Sequence, residues 1–371
     1  MLDITPQKLT LDTLGNKRSK FLRDLRERFI LLLLISCALI TLCITLGIIF
    51  ILARETITFF DPAGHPDDNE VNTVVKPMEF FFGLQWNPQM GGKKHFGIWP
   101  LIIGTFKIAF VAMCFALPVG LIAAVWLSEY AKPRVRAIIK PILEVLAGIP
   151  TVVFGFFAVT FITPVVLRWE WLQVAARDQH GNKVYDDETG ALITEPAGLF
   201  GLFDFGAFNA MSAGLAVGIM CLPIVISLSE DALRAVPRAL REGSYGLGAS
   251  KFEPSVRVVV PAALSGISAA FLLAIARAVG ETMIVALAAG LSSVKLVEQG
   301  GAIANLKSAF ALNESVLPMT GFIVNVYKGD AAHGSIAYYS TYAVAGTLFV
   351  ITLSITVIGN LIQKRFREKY D

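Results

Sequence analysis

Two charges stand alone inside a long apolar run. Arg277 and Glu281 are the only ionised side chains between Val258 and Leu291. A charge at the centre of a membrane helix costs roughly 2.5–3.5 kcal/mol on insertion scales, so two of them call for compensation. Four residues apart, they share one face of a helix and can reach each other. One reading is a self-neutralising salt bridge that fixes helix packing. The other is a site on a transport pathway: a guanidinium offers forked donors to the oxygens of an anion, and a carboxylate accepts from a proton-bearing oxygen while excluding fully deprotonated anions. Gly280, between the two, permits a break in the helix. A third intraspan charge, Lys107, lies eight residues past Trp99 and is expected to snorkel outward in preference to lining a path.

A second constellation is polar. Glu230, Arg234, Arg238 and Arg241 recur at helical spacing, with Leu233, Val236 and Leu240 on the other face, which predicts a short amphipathic helix on a membrane surface. Then come Glu242-Gly243-Ser244, three residues, Gly248, nine residues and Val258-Val259-Val260-Pro261. A short helix, a glycine that turns the chain sharply and a second helix re-entering the bilayer make a docking element. The small side chains at Gly243 and Ser244 let a partner surface approach the backbone.

Other chemistry is missing. Gly92-Lys93 is followed by Lys94 and not by a hydroxyl residue, so no phosphate-cradling loop is present. His65, His95, His180 and His333 lack metal-ligand spacing, and no Gly-x-Ser-x-Gly occurs. Cys37, Cys43, Cys114 and Cys221 lie in apolar runs without a Cys-x-x-Cys and read as packed thiols. No catalytic residue, metal site or bound cofactor is expected, and transport is what remains.

The elements that must position these residues follow from composition. The chain has 371 residues, 55% hydrophobic and 16% charged, where a soluble domain carries about 25% charged residues. Its net charge of +3 excludes the concentrated basic face of a nucleic-acid binder. Six runs approach the roughly 20 apolar residues of a membrane helix: 29–53, 98–128, 138–167, 210–229, 258–290 and 341–362. The segments before the first run and after the second, fourth and sixth hold 20 of the 32 Lys and Arg residues, and the other three connections hold nine. This alternation predicts an all-α polytopic membrane protein with both termini in the cytoplasm. It divides the chain into a basic segment 1–28, a first helix 29–53, an outer segment 54–97, a core 98–365 and a cytoplasmic tail 366–371. Within the core lie an outer insertion at about 168–208 and the docking loop at about 230–257. Around Lys183–Ile193 an acidic, Gly-ended turn fits either a small hairpin or a solvated loop. Pro118, Pro150, Pro164, Pro223 and Pro261 mark candidate kinks, and Trp99 and Trp126 candidate interfacial anchors.

The docking pattern resembles the coupling motif of bacterial ABC import permeases, Glu-Ala-Ala, three residues, Gly, nine residues and an apolar stretch ending in Leu-Pro. Gly243-Ser244 stand here in place of Ala-Ala. Leu146–Ala158, Leu222–Pro237 and Ala276–Met283 are similar to the phosphate-specific transport permeases, and the Gly-Glu-Thr-Met form is closer to the PstC type than to PstA. The likeness covers roughly residues 98–365 and leaves 54–97 and 168–208 unmatched. It implies a type I ABC importer permease fold with two sizeable periplasmic insertions, in the bacterial inner membrane. The implied partners are a PstA-like homologous permease, two PstB-like ATPase subunits holding ATP and Mg, and a PstS-like periplasmic phosphate-binding protein. It also implies a transport role for Arg277 and Glu281, and ATPase coupling for Glu242, Gly243, Ser244, Gly248 and Pro261. A permease for molybdate or sulfate, or a stand-alone transporter or channel, are the competing readings.

Overall fold

The computed structural model describes residues 11–61, 75–88, 94–168, 173–175, 194–196, 205–290, 292, 311–329 and 334–365. Among the described residues four helices are each long and apolar enough to cross a bilayer: Leu25–Phe60, Trp99–Tyr130, Ala210–Ala235 and Ile336–Leu361. Two bent pairs, Pro133–Ala147 with Thr151–Leu167 and Phe252–Ala262 with Leu264–Val279, bring the number to six when each counts as one span. The chain is an all-helical polytopic membrane protein.

It divides into two compact units, Met1–Glu55 and Thr56–Asp371, with the junction inside α1 (Leu11–Phe60). In the first unit, Phe29 to Ile51 is exposed and apolar on every side, as a helix surrounded by hydrocarbon must be.

The second unit is organised around α3 (Trp99–Val125) and α6 (Ala210–Ala235), which run in the same direction. Their backbones approach where one helix has no side chain. A Cβ on Gly214 would lie 2.6 Å from Val111 Cβ, and one on Gly218 would lie 2.9 Å from the Ala112 carbonyl oxygen. Farther along, Gly120 receives Val225. In lipid, where apolar side chains gain nothing by leaving solvent for each other, small residues drive such contacts by letting helices pack closely. Pro118 and Pro223 lie inside these helices without breaking them.

Around the pair stand α4 (Pro133–Ala147), α5 (Thr151–Phe157) with its wider π-type continuation Ala158–Leu167, and α10 (Leu264–Val279). Three short helices fall in the same unit: α7 (Arg238–Gly246), α8 (Phe252–Pro254) and α9 (Val260–Ala262). Beyond α10 follow α11 (Met283–Ala288), α12 (Met319–Lys328) and α13 (Ile336–Arg365). The central core joins Ile108, Ala112, Val217, Cys221, Ala274 and Ile284.

A second core, at the Trp99 end of α3, is aromatic. It sets Phe59, Phe80, Trp86, Phe96 and Phe322 edge to face, with ring centroids 4.9 Å apart for Trp86–Phe322. Two short strands, β1 (Trp86–Asn87) and β2 (His95–Phe96), pair antiparallel there. Another antiparallel pair joins β3 (Gln173–Ala175) to β4 (Thr194–Pro196). The hairpin expected at 183–193 lies outside the described residues.

Several expectations need correcting. The third run is not one straight helix: α4 begins at Pro133 and meets α5 at 88°, with Pro150, which lacks an N–H, just before α5. The fifth bends by 70° between Ala262 and Leu264 and stops at Gly280. The amphipathic helix expected from Glu230 to Arg241 is two pieces, because Val236 turns extended before Pro237. Of the four cysteines only Cys221 is buried, and Cys37, Cys43 and Cys114 are exposed on apolar surface.

The α3–α6 contact is testable. Gly218→Leu overpacks it and is expected to destabilise the protein by about 1–3 kcal/mol, read as a lower thermal midpoint in detergent. Gly47→Leu, at a position with open space around its Cβ, should leave the midpoint unchanged.

Candidate functional site

Arg277 lies in the last turn of α10. It is exposed, whereas Ala274, Ala278 and Val279 beside it are buried. Its Nη2 lies 3.9 Å from Met220 Sδ on α6. A thioether is a weak acceptor, so this contact orients the guanidinium without neutralising it.

Three residues on, the chain turns. Gly280 closes α10 by donating its N–H to the Ala276 carbonyl at 3.1 Å. The Glu281 side chain is 8% exposed, and its Oε1 accepts the backbone N–H groups of Met283 and Ile284 at 3.2 and 3.4 Å. The carboxylate thus takes up the first free amides of α11, where a negative charge is favoured. The Glu281 carbonyl accepts from Thr320 Oγ1 at 2.8 Å. Because the helix ends between them, the i,i+4 salt bridge, one of the two readings of the sequence, does not form. Among the described residues no ion pair joins Arg277 to Glu281.

An extended strap, residues 311–318, closes this end of the bundle by satisfying helix ends. Ala210 and Met211, at the start of α6, donate to the carbonyls of Glu314 and Leu312 at 3.1 and 3.0 Å. Val316 donates to Ala289 at 2.8 Å, past the end of α11. Asn209, fully buried, caps α6 by accepting the Ser212 N–H at 2.7 Å and donates to the Gly206 carbonyl at 2.9 Å. Lys107 is part of this arrangement. It is 7% exposed and donates to the Ala311 carbonyl at 2.7 Å, so it holds the strap instead of snorkelling outward.

At the opposite end, α7 carries Glu242, Gly243 and Ser244, and Gly248 turns the chain with φ 88°. A Cβ at Gly243 or Gly248 would meet nothing within 4 Å, and Leu247 between them is 92% exposed. The structure therefore gathers four of the five expected docking residues on one open surface. Pro261 stands apart in α9, just before the 70° bend.

What fastens α7 was not apparent from the sequence. Arg241 donates to the carbonyls of Val236 and Leu233, at 2.7 and 2.8 Å, and to Glu129 just past α3, at 3.0 Å. One guanidinium thus covers the free carbonyls at the end of α6 and links α7 to α3. Nearby, Glu230 is fully buried and receives Arg136 at 2.8 Å and Lys140 at 3.1 Å, while Lys140 also pairs with Asp231. These bonds hold α4 against α6. The signal was present in the acids Glu129, Glu230 and Asp231, each placed at a span end near basic residues.

A family model described as binding-protein-dependent transport system inner membrane component matches residues 116–368. A probable ABC transporter permease protein of Bacillus subtilis, YqgH, is 26% identical over 362 residues, covering 95% of each chain. The phosphate transport system permease protein PstC of Xylella fastidiosa is 29% identical over 296 residues, covering 80% of this chain and 81% of its own length. PstA 1 of Mycobacterium tuberculosis, also a phosphate transport system permease protein, is 32% identical over 211 residues, 57% of each chain.

Removing the Arg241 fork takes the guanidinium from the Val236 and Leu233 carbonyls and leaves the 9%-exposed Glu129 side chain without its cationic partner. Breaking such a partly buried charged network costs about 3–5 kcal/mol. Arg241→Met should therefore lower the thermal midpoint sharply and open α7 to limited proteolysis. Arg238→Met, at an exposed position of the same helix, should do neither.

Proposed function

The chain belongs to the family of binding-protein-dependent transport system inner membrane components, and from that premise we propose that it is the permease subunit of an ATP-driven importer of inorganic phosphate. The observation that carries the reading is the Arg277 guanidinium, exposed in the last turn of α10 and left without the carboxylate four residues on. Forked donors at that position match the oxygens of phosphate, and the PstC and PstA relatives are named for phosphate transport. Alignment with PstC over 80% of the chain, against 57% with PstA 1, favours the PstC-type half of the channel.

In this reading both termini and α7 are cytoplasmic, and the strap end faces the periplasm. A homologous permease faces the exposed side of Arg277 and completes the path. Two ATPase subunits bind ATP and Mg, and one of them seats on α7. Movement of the ATPase reaches the bundle through Arg241, which ties α7 to the ends of α6 and α3. A periplasmic phosphate-binding protein delivers the anion at the other end. Glu281 acts on the anion through the backbone: by capping α11 it fixes the turn at Gly280 and so the position of Arg277.

Two experiments bear on this. ATP-dependent phosphate uptake should be abolished by Arg277→Gln while assembly with the partner permease is retained, and Arg277→Lys, which keeps the charge and loses the planar fork, should transport partially at most. Unimpaired uptake by Arg277→Gln, or wild-type uptake competed by sulfate and not by phosphate, would overturn the assignment. Gly243→Trp has room in the free chain, so the variant should assemble yet hydrolyse ATP without uptake. Normal coupling in that variant would remove α7 as the ATPase seat.

A further inference from the structure

The segment between the first two spans contains a short helix whose outward face is unlike that of a solvated loop. In α2 (Pro77–Phe82) Phe80 is buried in the aromatic core, while Met78, Phe81 and Phe82 share the opposite face and are 70%, 50% and 69% exposed. Leu84, just beyond, is 47% exposed. These side chains are not on a loose loop. Ile98 donates its N–H to the Phe80 carbonyl at 3.0 Å, and Gly97 donates to Gln85 at 2.8 Å. Gly83 and Gly97 press backbone to backbone, so closely that a Cβ on Gly97 would lie 2.2 Å from the Gly83 carbonyl carbon.

The height of this patch along the bundle is set by Trp99. Its indole N–H donates to the Phe81 carbonyl at 2.9 Å, and its ring is 42% exposed beside the patch. Trp99 is also the first residue of a 32-residue span, about 48 Å long at 1.5 Å per residue. A bilayer is about 40–45 Å thick including its headgroups, so the ends of this span lie at headgroup level. From Trp99 an exposed apolar stripe continues down α3 through Phe106 and Phe110. The patch on α2 is thus the upper edge of a surface that runs into the bilayer. Lys76 and the Glu79–His95 pair, 3.7 Å apart, lie off that face.

We propose that α2 is an interfacial anchor: Met78, Phe81, Phe82 and Leu84 lie in the headgroup and upper acyl region of the outer leaflet, and the aromatic core holds them there. Amphipathic helices of this kind sit about 5–10 Å into the headgroup–acyl boundary. The occupant is lipid, because the patch is continuous with an intraspan surface and is rigidly held at the height of an interfacial tryptophan. This goes beyond the transport reading and holds whichever oxyanion is carried.

The test uses the assembled transporter in proteoliposomes, with its four cysteines replaced by serine and a single Phe82→Cys carrying an environment-sensitive fluorophore. Lipids brominated near the headgroup should quench this label at least about threefold more strongly than the same label at Lys76→Cys, with iodide in the aqueous phase showing the reverse order, as expected for a side chain at the interface. Leu84→Cys serves as an independent site if Phe82→Cys assembles poorly, with the same result expected. Equal iodide quenching at the patch and at Lys76 would overturn the proposal. So would shielding of the patch that arises only when the soluble binding protein is added, which would make it a protein-docking surface.

Discussion

Every break in a helix at membrane depth exposes backbone groups that lipid cannot satisfy, and this chain breaks its helices repeatedly. The break after α10 is the one on which the site depends. Gly280 ends the helix, and the buried Glu281 carboxylate takes the first amides of α11. That use of the carboxylate separates two charges that would face each other on an unbroken helix, and leaves Arg277 presented on the side of α10 with the Met220 thioether as its hydrogen-bond partner among the described residues. The other ends follow the same rule. Asn209 and the strap serve the start of α6, Lys107 holds the strap, and Arg241 serves the end of α6.

These connections divide the molecule's work between its two ends. Toward the strap, the described helix ends are satisfied by backbone groups, the Asn209 amide and the Glu281 carboxylate, while Lys107 holds the strap itself. Toward α7 they are satisfied by ion pairs that link separate helices: Glu129 with Arg241, and Glu230 with Arg136 and Lys140. Between them α3 and α6 are in close contact, with glycine at each close approach. Arg241 thus connects α7 to both helices of that pair, to α6 at its last carbonyls and to α3 through Glu129. Leu247 is exposed and the surface at Gly243 and Gly248 is open, on a helix fastened from behind by Arg241.

Much of the architecture was legible in the sequence because apolar run length is set by bilayer thickness. The six runs, the short α7 and the turn at Gly248 follow from hydropathy and from glycine placement. The bends were less legible. Five prolines were visible as candidate kinks, yet Pro118 and Pro223 lie within continuous helices while Pro150 and Pro261 stand at bends; which outcome follows depends on what the neighbours satisfy. Pro237 was not among the five, because helical spacing from Glu230 to Arg241 concealed the break that it makes. Lys107 and Glu281 show the same limit. Spacing places a charge on a face, but whether it finds a carbonyl, an amide or an opposite charge depends on what spacing does not show: the distant residue 311 for Lys107, and the helix break at the adjacent Gly280 for Glu281.

The central claim is that Arg277 serves the anion while Glu281 serves the backbone, so the two do not compensate each other. A double-mutant cycle on ATP-dependent phosphate uptake, comparing Glu281→Gln, Arg277→Gln and the double variant, measures this directly. A glutamine oxygen can still accept the Met283 and Ile284 amides, so Glu281→Gln should retain substantial uptake, and the double variant should be as inactive as Arg277→Gln alone. Loss of uptake in each single variant with recovery in the double variant would mean that the two charges pair, and would contradict the account.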